Sequence, residues 1–436
     1  MFCKIPFHGL NLRNDGTIRT CCSSIGQMQG IRNDNNKPIN ITDFDSLNTA
    51  FNSKELKSLR IAMLQNDEEG YKNHCKHCIH QESLGINSVR TKHNKFYRDS
   101  NPLVNDDGSM DADNLKMLDV RLDTVCDQAC IMCGPYSSTM WEKEIKKDIN
   151  KWSGKVVDEF NWVQKYNKNT LTPEHLFDKL PNLNQIEFRG GEPLVDKKVI
   201  QLIDYMIDKD YAKNIYLSLV TNTQSASRDI VNKLKKFKGG IIRCSVDAIG
   251  KKNEYHRYHS KWNKIEQGLT NLSDLVPAKE DKLSTLERFH DRWLLIILPT
   301  MTTYNTLQWK EYFEYFDDFF EKNNMRALIA LNSIKDRPEM FHTIVDYEAR
   351  IKHVQELKDL QGKLKMHQWT DGFGQRNLSY FNKLMKALSR PQEKNSAELV
   401  EKFLKWCYTI EINREQKVYD YFPELKILEK QRALYE

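Results

Sequence analysis

Six short stretches of the chain alternate or concentrate apolar residues in the manner of β-strands: 115–122, 185–188, 214–220, 240–246, 293–298 and 327–331. The segments between them are long enough for helices, and 197–207 and 228–236 have the spacing for one. Strand, helix, strand in repetition implies parallel strands wrapped by helices. Ahead of this region, 7–12 and 17–21 alternate like two short strands, with Asn14-Asp15-Gly16 as the hairpin turn between them. Residues 53–65 predict a helix capped by Ser53. The stretch 90–113, rich in Asn, Asp, Lys and Ser, reads as a linker. Residues 140–180, with Trp141, Trp152 and Trp162 among many charges, read mostly as surface helix. Beyond Ile334 the spacing is helical, as in 347–360, 377–388 and 397–406, and a last short helix starts at Phe422.

Composition narrows this picture a little. A chain of 436 residues has room for two or three domains and an ample core. The formal charge of +6 arises from 66 basic and 60 acidic residues spread along the chain, which is weak support for a nucleic-acid partner. No signal-like start and no run of eighteen apolar residues occurs, so a soluble, cytoplasmic protein with no membrane partner is expected. Ten cysteines would suit disulfides in a secreted chain, but seven fall in metal-type spacings, which fits a reducing compartment better.

The chemistry concentrates in two cysteine sets. Cys126, Cys130 and Cys133 form CxxxCxxC on the loop that leaves the strand at 115–122. Structural zinc usually takes four protein ligands, whereas a compact trio leaves one position open for a substrate. The second set is Cys3, Cys21 and the pair Cys75 and Cys78, which the hairpin and the helix at 53–65 can bring together. Cys22 adjoins Cys21, but on a strand the two point to opposite faces, so only one can join the set. A zinc site using Cys75, Cys78 and any of His74, His77 or His80 is the alternative. Cys244 and Cys407 have no metal-type neighbours and read as buried small apolar residues. The loop with His367, Trp369 and Phe373 reads as packing, although it could touch a substrate.

CxxxCxxC after the first strand, with Arg189-Gly190-Gly191-Glu192-Pro193 about sixty residues later, resembles the radical S-adenosylmethionine (SAM) superfamily. The resemblance implies a partial (β/α)6 barrel and a [4Fe-4S] cluster held by Cys126, Cys130 and Cys133, whose remaining iron chelates SAM. It implies further SAM contacts from the backbone at Met132, where the family usually has an aromatic residue, and from the turn Gly190, Gly191 and Glu192, which would hold the amino group. Asn222, Ser245 and Arg257 are expected at later strand ends, with Arg257 gripping the SAM carboxylate. The set Cys3, Cys21, Cys75 and Cys78 is similar to the cluster motif of the twitch domain, a shortened SPASM domain. One auxiliary iron-sulfur cluster is therefore expected, although the family usually places this domain after the barrel.

The resulting expectation is an α/β chain with a small α+β auxiliary-cluster domain at 1–110, a barrel at 111–335 and a helical region at 336–436. It would cleave SAM to a 5′-deoxyadenosyl radical and oxidatively modify a substrate. Peptides or proteins stand slightly ahead of sugars or nucleotides, and the electron donor would be a flavodoxin or ferredoxin. The alternative is an iron-sulfur or zinc module associated with nucleic acid, without radical chemistry.

Overall fold

In the computed structural model, residues 2–24, 30–83, 88–166, 170–276, 292–334, 337–369 and 372–433 are described. The strands in chain order are β1 (Gly9–Leu12), β2 (Ile18–Arg19), β3 (Met117–Arg121), β4 (Ala129–Cys130), β5 (Gln185–Arg189) and β6 (Tyr216–Thr221). They continue with β7 (Gly239–Cys244), β8 (Arg257–Tyr258), β9 (Trp293–Ile297), β10 (Thr300–Met301), β11 (Leu328–Ile329) and β12 (Asn332–Ser333). Each of the six main stretches expected from sequence falls on one of these strands, and the fold is mixed α/β. Two compact units divide the chain: Met1–Thr124, Tyr166–Leu219 and Lys236–Lys238 form the first, and Val125–Lys165, Val220–Lys235 and Gly239–Glu436 the second.

In the first unit β1, β3, β5 and β6 run parallel, and β2 closes an antiparallel hairpin on β1. Alternation sorts their side chains cleanly. Leu10, Leu118, Val120, Ile186, Phe188, Leu217 and Leu219 are buried on one face. The other face carries Asn11, Asp119, Glu187 and Ser218, which are direct cross-strand partners in one row. Parallel sheets buried on both faces ordinarily read as continuous apolar runs. This one keeps a buried polar row instead.

Local sequence accounts for several ends. Gly16 has φ +80° at the hairpin tip and donates its N–H to the Arg13 carbonyl at 2.8 Å. Ser53 caps the helix Lys54–Leu64, accepting from the Leu56 N–H. Three local expectations need correction. Ile5–His8 is a helical turn, so the first strand starts only at Gly9. The expected linker holds a helix, Val89–Phe96, capped by Ser88. The loop with Phe373 is the first turn of the helix Gly372–Leu388, and Phe373 packs with Leu294 and Leu328.

The core of the second unit surrounds Trp141, Trp152, Tyr255, Tyr304, Phe403 and Trp406. Its strands β7, β9 and β11 are parallel. Cys244 and Cys407 are buried there, and Tyr304 Oη lies 3.5 Å from Cys407 Sγ. Among the described residues no helix is long and apolar enough to cross a membrane.

Candidate functional site

The cysteine loop belongs to the second unit and is held at nearly every residue. Ser138 caps the helix Thr139–Lys147, accepting from the Met140 and Trp141 N–H groups, and its hydroxyl donates to the Gln128 carbonyl at 2.6 Å. Trp141 Nε1 donates to the Cys130 carbonyl at 2.9 Å, and the Cys126 N–H donates to Thr139 Oγ1 at 3.3 Å. The Cys133 N–H closes a turn on the Cys130 carbonyl at 2.9 Å. Asp127, between two of the sequence-selected positions, accepts from Asn222 Nδ2 at 2.7 Å and from Gln224 Nε2 at 2.8 Å. Asn222 thus anchors the loop. Met132 packs its side chain against the apolar cluster around Trp141 and Trp406.

Arg257 is buried rather than a surface cation. It stands opposite Cys130 in the antiparallel pair β4 and β8. Its Nε is 2.8 Å from Asp247 Oδ2, and its Nη1 donates toward Cys130 Sγ at 3.6 Å. Asp247, fully buried, also accepts from the Thr300 N–H at 2.7 Å. Burial pushes the Cys130 thiol up to about 12, with Arg257 acting in the opposite direction. Ser245 is half-buried, and its N–H donates to the Thr221 carbonyl at 2.8 Å.

The Gly-Gly-Glu turn lies in the first unit, after β5. Gly190 has φ +149°, and a Cβ there would lie 2.7 Å from the Asp123 carbonyl oxygen, so the turn requires glycine. Gly191 follows it. Glu192 is buried, and its Oε1 accepts from the Leu194 N–H at 3.0 Å.

The second cysteine set is also in the first unit. Cys75 and Cys78 lie one turn apart on the helix Glu68–Ser83. Burial raises Cys3 to about 12, and the nearby thiols of Cys75 and Cys78 add to the rise. Cys75 is raised to about 11 by burial and then by Cys78. Cys21 is raised by burial, then by Cys22, Cys3 and Cys78, which places it in the neighbourhood of Cys3 and Cys78. Cys22 is raised by burial too, but its charged neighbours are Arg189, Asp119 and Glu187. His74 Nδ1 lies 3.2 Å from Thr20 Oγ1. Among the described residues no three His, Cys, Asp or Glu side chains close to the spacing of a single metal ion.

Sequence reasoning missed three participants. Asp127 sits inside the cysteine motif, whose signal is carried by the thiols. Asp247 lies two residues past Ser245, the position expected at the end of that strand. The row through Asp119 and Glu187 is legible as the polar phase of the alternation in Met117–Arg121 and Gln185–Arg189.

No family model matches the chain, and no curated protein does. Among solved structures it is similar to Streptococcus suis SuiB bound to S-adenosylmethionine, at 15% identity over 75% of this chain and 67% of that one, TM-score 0.33. A second SuiB structure matches at 13% over 75% and 66%, TM-score 0.32. SuiB bound to the precursor peptide SuiA matches at 12% over 75% and 66%, TM-score 0.33. The chain spans about two thirds of the length of those proteins. A likeness this slight carries no residue-by-residue correspondence.

Proposed function

We propose that the chain is a radical SAM enzyme with a barrel core and one auxiliary cluster, acting on a peptide or protein in preference to a sugar or nucleotide. The observation that carries this reading is the immobilised loop with Cys126, Cys130 and Cys133, its middle thiol facing the buried guanidinium of Arg257. The donor set fits an iron-sulfur cluster. Three thiols on one anchored loop are the donor set that such a cluster takes. A compact trio of thiols leaves one position of a cluster open, whereas structural zinc usually takes four protein ligands. Cys3, Cys21, Cys75 and Cys78 supply a second all-thiol set.

Bound to Cys126, Cys130 and Cys133, the cluster would supply the electron that cleaves the sulfonium bond of SAM. The chain's own residues have narrower tasks. Arg257, oriented by Asp247, offsets the negative charge of the Cys130 thiolate and offers its remaining N–H groups to the SAM carboxylate. Asp127 fixes the loop against the turn at Asn222, and Glu192 supplies a carboxylate for the SAM amino group. Met132, Gly190, Gly191 and Ser245 contribute backbone or small polar contacts.

Anaerobic reconstitution tests the reading. The wild type should bind iron and sulfide at two separate clusters and release 5′-deoxyadenosine from SAM under reducing conditions. Cys126→Ala, Cys130→Ala and Cys133→Ala should each abolish release, and the triple variant should stay coloured through the second set. Undiminished 5′-deoxyadenosine from any single variant would refute the assignment. A colourless triple variant carrying stoichiometric zinc would return the second set to the zinc alternative.

A further inference from the structure

The polar face of the first unit is built in layers. At the strand beginnings, Gln185 Oε1 accepts from Tyr97 Oη at 3.3 Å, and Tyr216 packs against Phe96. The row Asn11, Asp119, Glu187 and Ser218 stands above that floor. The next positions toward the carboxyl ends are arginines: Arg121 and Arg189 are direct cross-strand partners, and Arg13 follows Leu12 on the Asn11 side of the alternation. Arg189 Nε lies 3.3 Å from Asp119 Oδ1, and its Nη2 lies 2.8 Å from Glu187 Oε1. The side chains of Asp119 and Glu187 are 7% and 9% exposed, whereas that of Arg189 is 38% exposed.

The carboxylates are therefore buried, while the Arg189 side chain stays partly exposed. Two buried acids hold its planar fork in a fixed orientation. The carboxyl ends of parallel strands are also where ligands enter such sheets.

We propose that Arg189, with Arg121 beside it, binds an anionic oxygen group, a carboxylate or a phosphate, of the molecule this chain acts on. Asp119 and Glu187 are positioning residues for that fork. Cys22 lies among the same charges, next in sequence to Cys21, so the bound group would sit near the second cysteine set. Assigning the anion to a radical substrate rests on the reading in the preceding subsection. Anion binding itself does not, and it can be measured where SAM cleavage fails.

The test is calorimetric titration of the full-length protein, at low and constant ionic strength, with glutarate, inorganic phosphate and uncharged glutaramide. Saturable binding of glutarate or phosphate but not glutaramide is expected, and the tighter of the two anions identifies the source. Arg189→Gln and Arg121→Gln should each weaken binding at least tenfold. Arg189→Lys, which keeps the charge opposite Asp119 and Glu187 and so protects the fold, should also bind several-fold more weakly because it lacks the fork. No saturation with either anion, or wild-type affinity in folded Arg189→Lys and Arg121→Gln, would overturn the proposal.

Discussion

Arg257→Met removes the cation from a pair in which the Arg257 side chain is 10% exposed and that of Asp247 is not exposed at all. The methionine fills much of the same volume, so the loss is electrostatic. Asp247 keeps the Thr300 N–H at 2.7 Å but must stay charged without a counter-ion or take up a proton. Breaking a buried pair from one side costs roughly 3–5 kcal/mol. Removing the charge as well, in Arg257→Met with Asp247→Asn, should recover at least about 2 kcal/mol, because a neutral amide can still accept from Thr300 and no orphan charge is left. Urea denaturation of reduced, metal-free protein at pH 7, followed by tryptophan fluorescence, measures both differences. Arg257→Lys should fall between wild type and Arg257→Met, since an ammonium reaches Asp247 without the planar fork. A loss below about 1 kcal/mol for Arg257→Met, the size of an exposed pair, would show that Arg257 and Asp247 are not a buried ion pair. A double variant no more stable than Arg257→Met would sink the orphan-charge explanation.

Two further predictions concern stability. Gly190→Ala should destabilise by about 1–3 kcal/mol, because φ +149° and a Cβ 2.7 Å from the Asp123 oxygen force the turn to shift; Gly362→Ala, where a Cβ meets nothing within 4 Å, should melt near wild type. His342 is held down from 6.5 to about 4 by burial, while its Nε2 lies 3.0 Å from the Ala387 carbonyl. The folded state therefore refuses a proton that the unfolded state accepts: this contribution is complete above pH 6.5 and is lost as pH falls toward 4, reaching roughly 3 kcal/mol. Denaturation midpoints at pH 7 and pH 5 should differ less in His342→Gln than in wild type, and an equal difference in both would reject His342 as a source.

Sequence by itself determined whatever depends on neighbours along the chain. The apolar alternation placed the strands, Gly16 and Ser53 marked a turn and a cap, and the spacing of Cys126, Cys130 and Cys133 put three thiols on one loop, because side-chain direction repeats with the backbone and these contacts span only a few residues. Helix Val89–Phe96 escaped notice because its composition is polar and nothing in it is buried. The ion pair of Arg257 with Asp247, the anchoring of Asp127 by Asn222 and Gln224, and the row from Asn11 to Ser218 were settled only by the tertiary structure. Parallel strands are joined by long crossovers, so their register is set by how helices and apolar faces pack, not by any local turn. A buried charge acquires its meaning from the partner that packing brings to it, and in this chain Asp127 meets Asn222 across 95 residues.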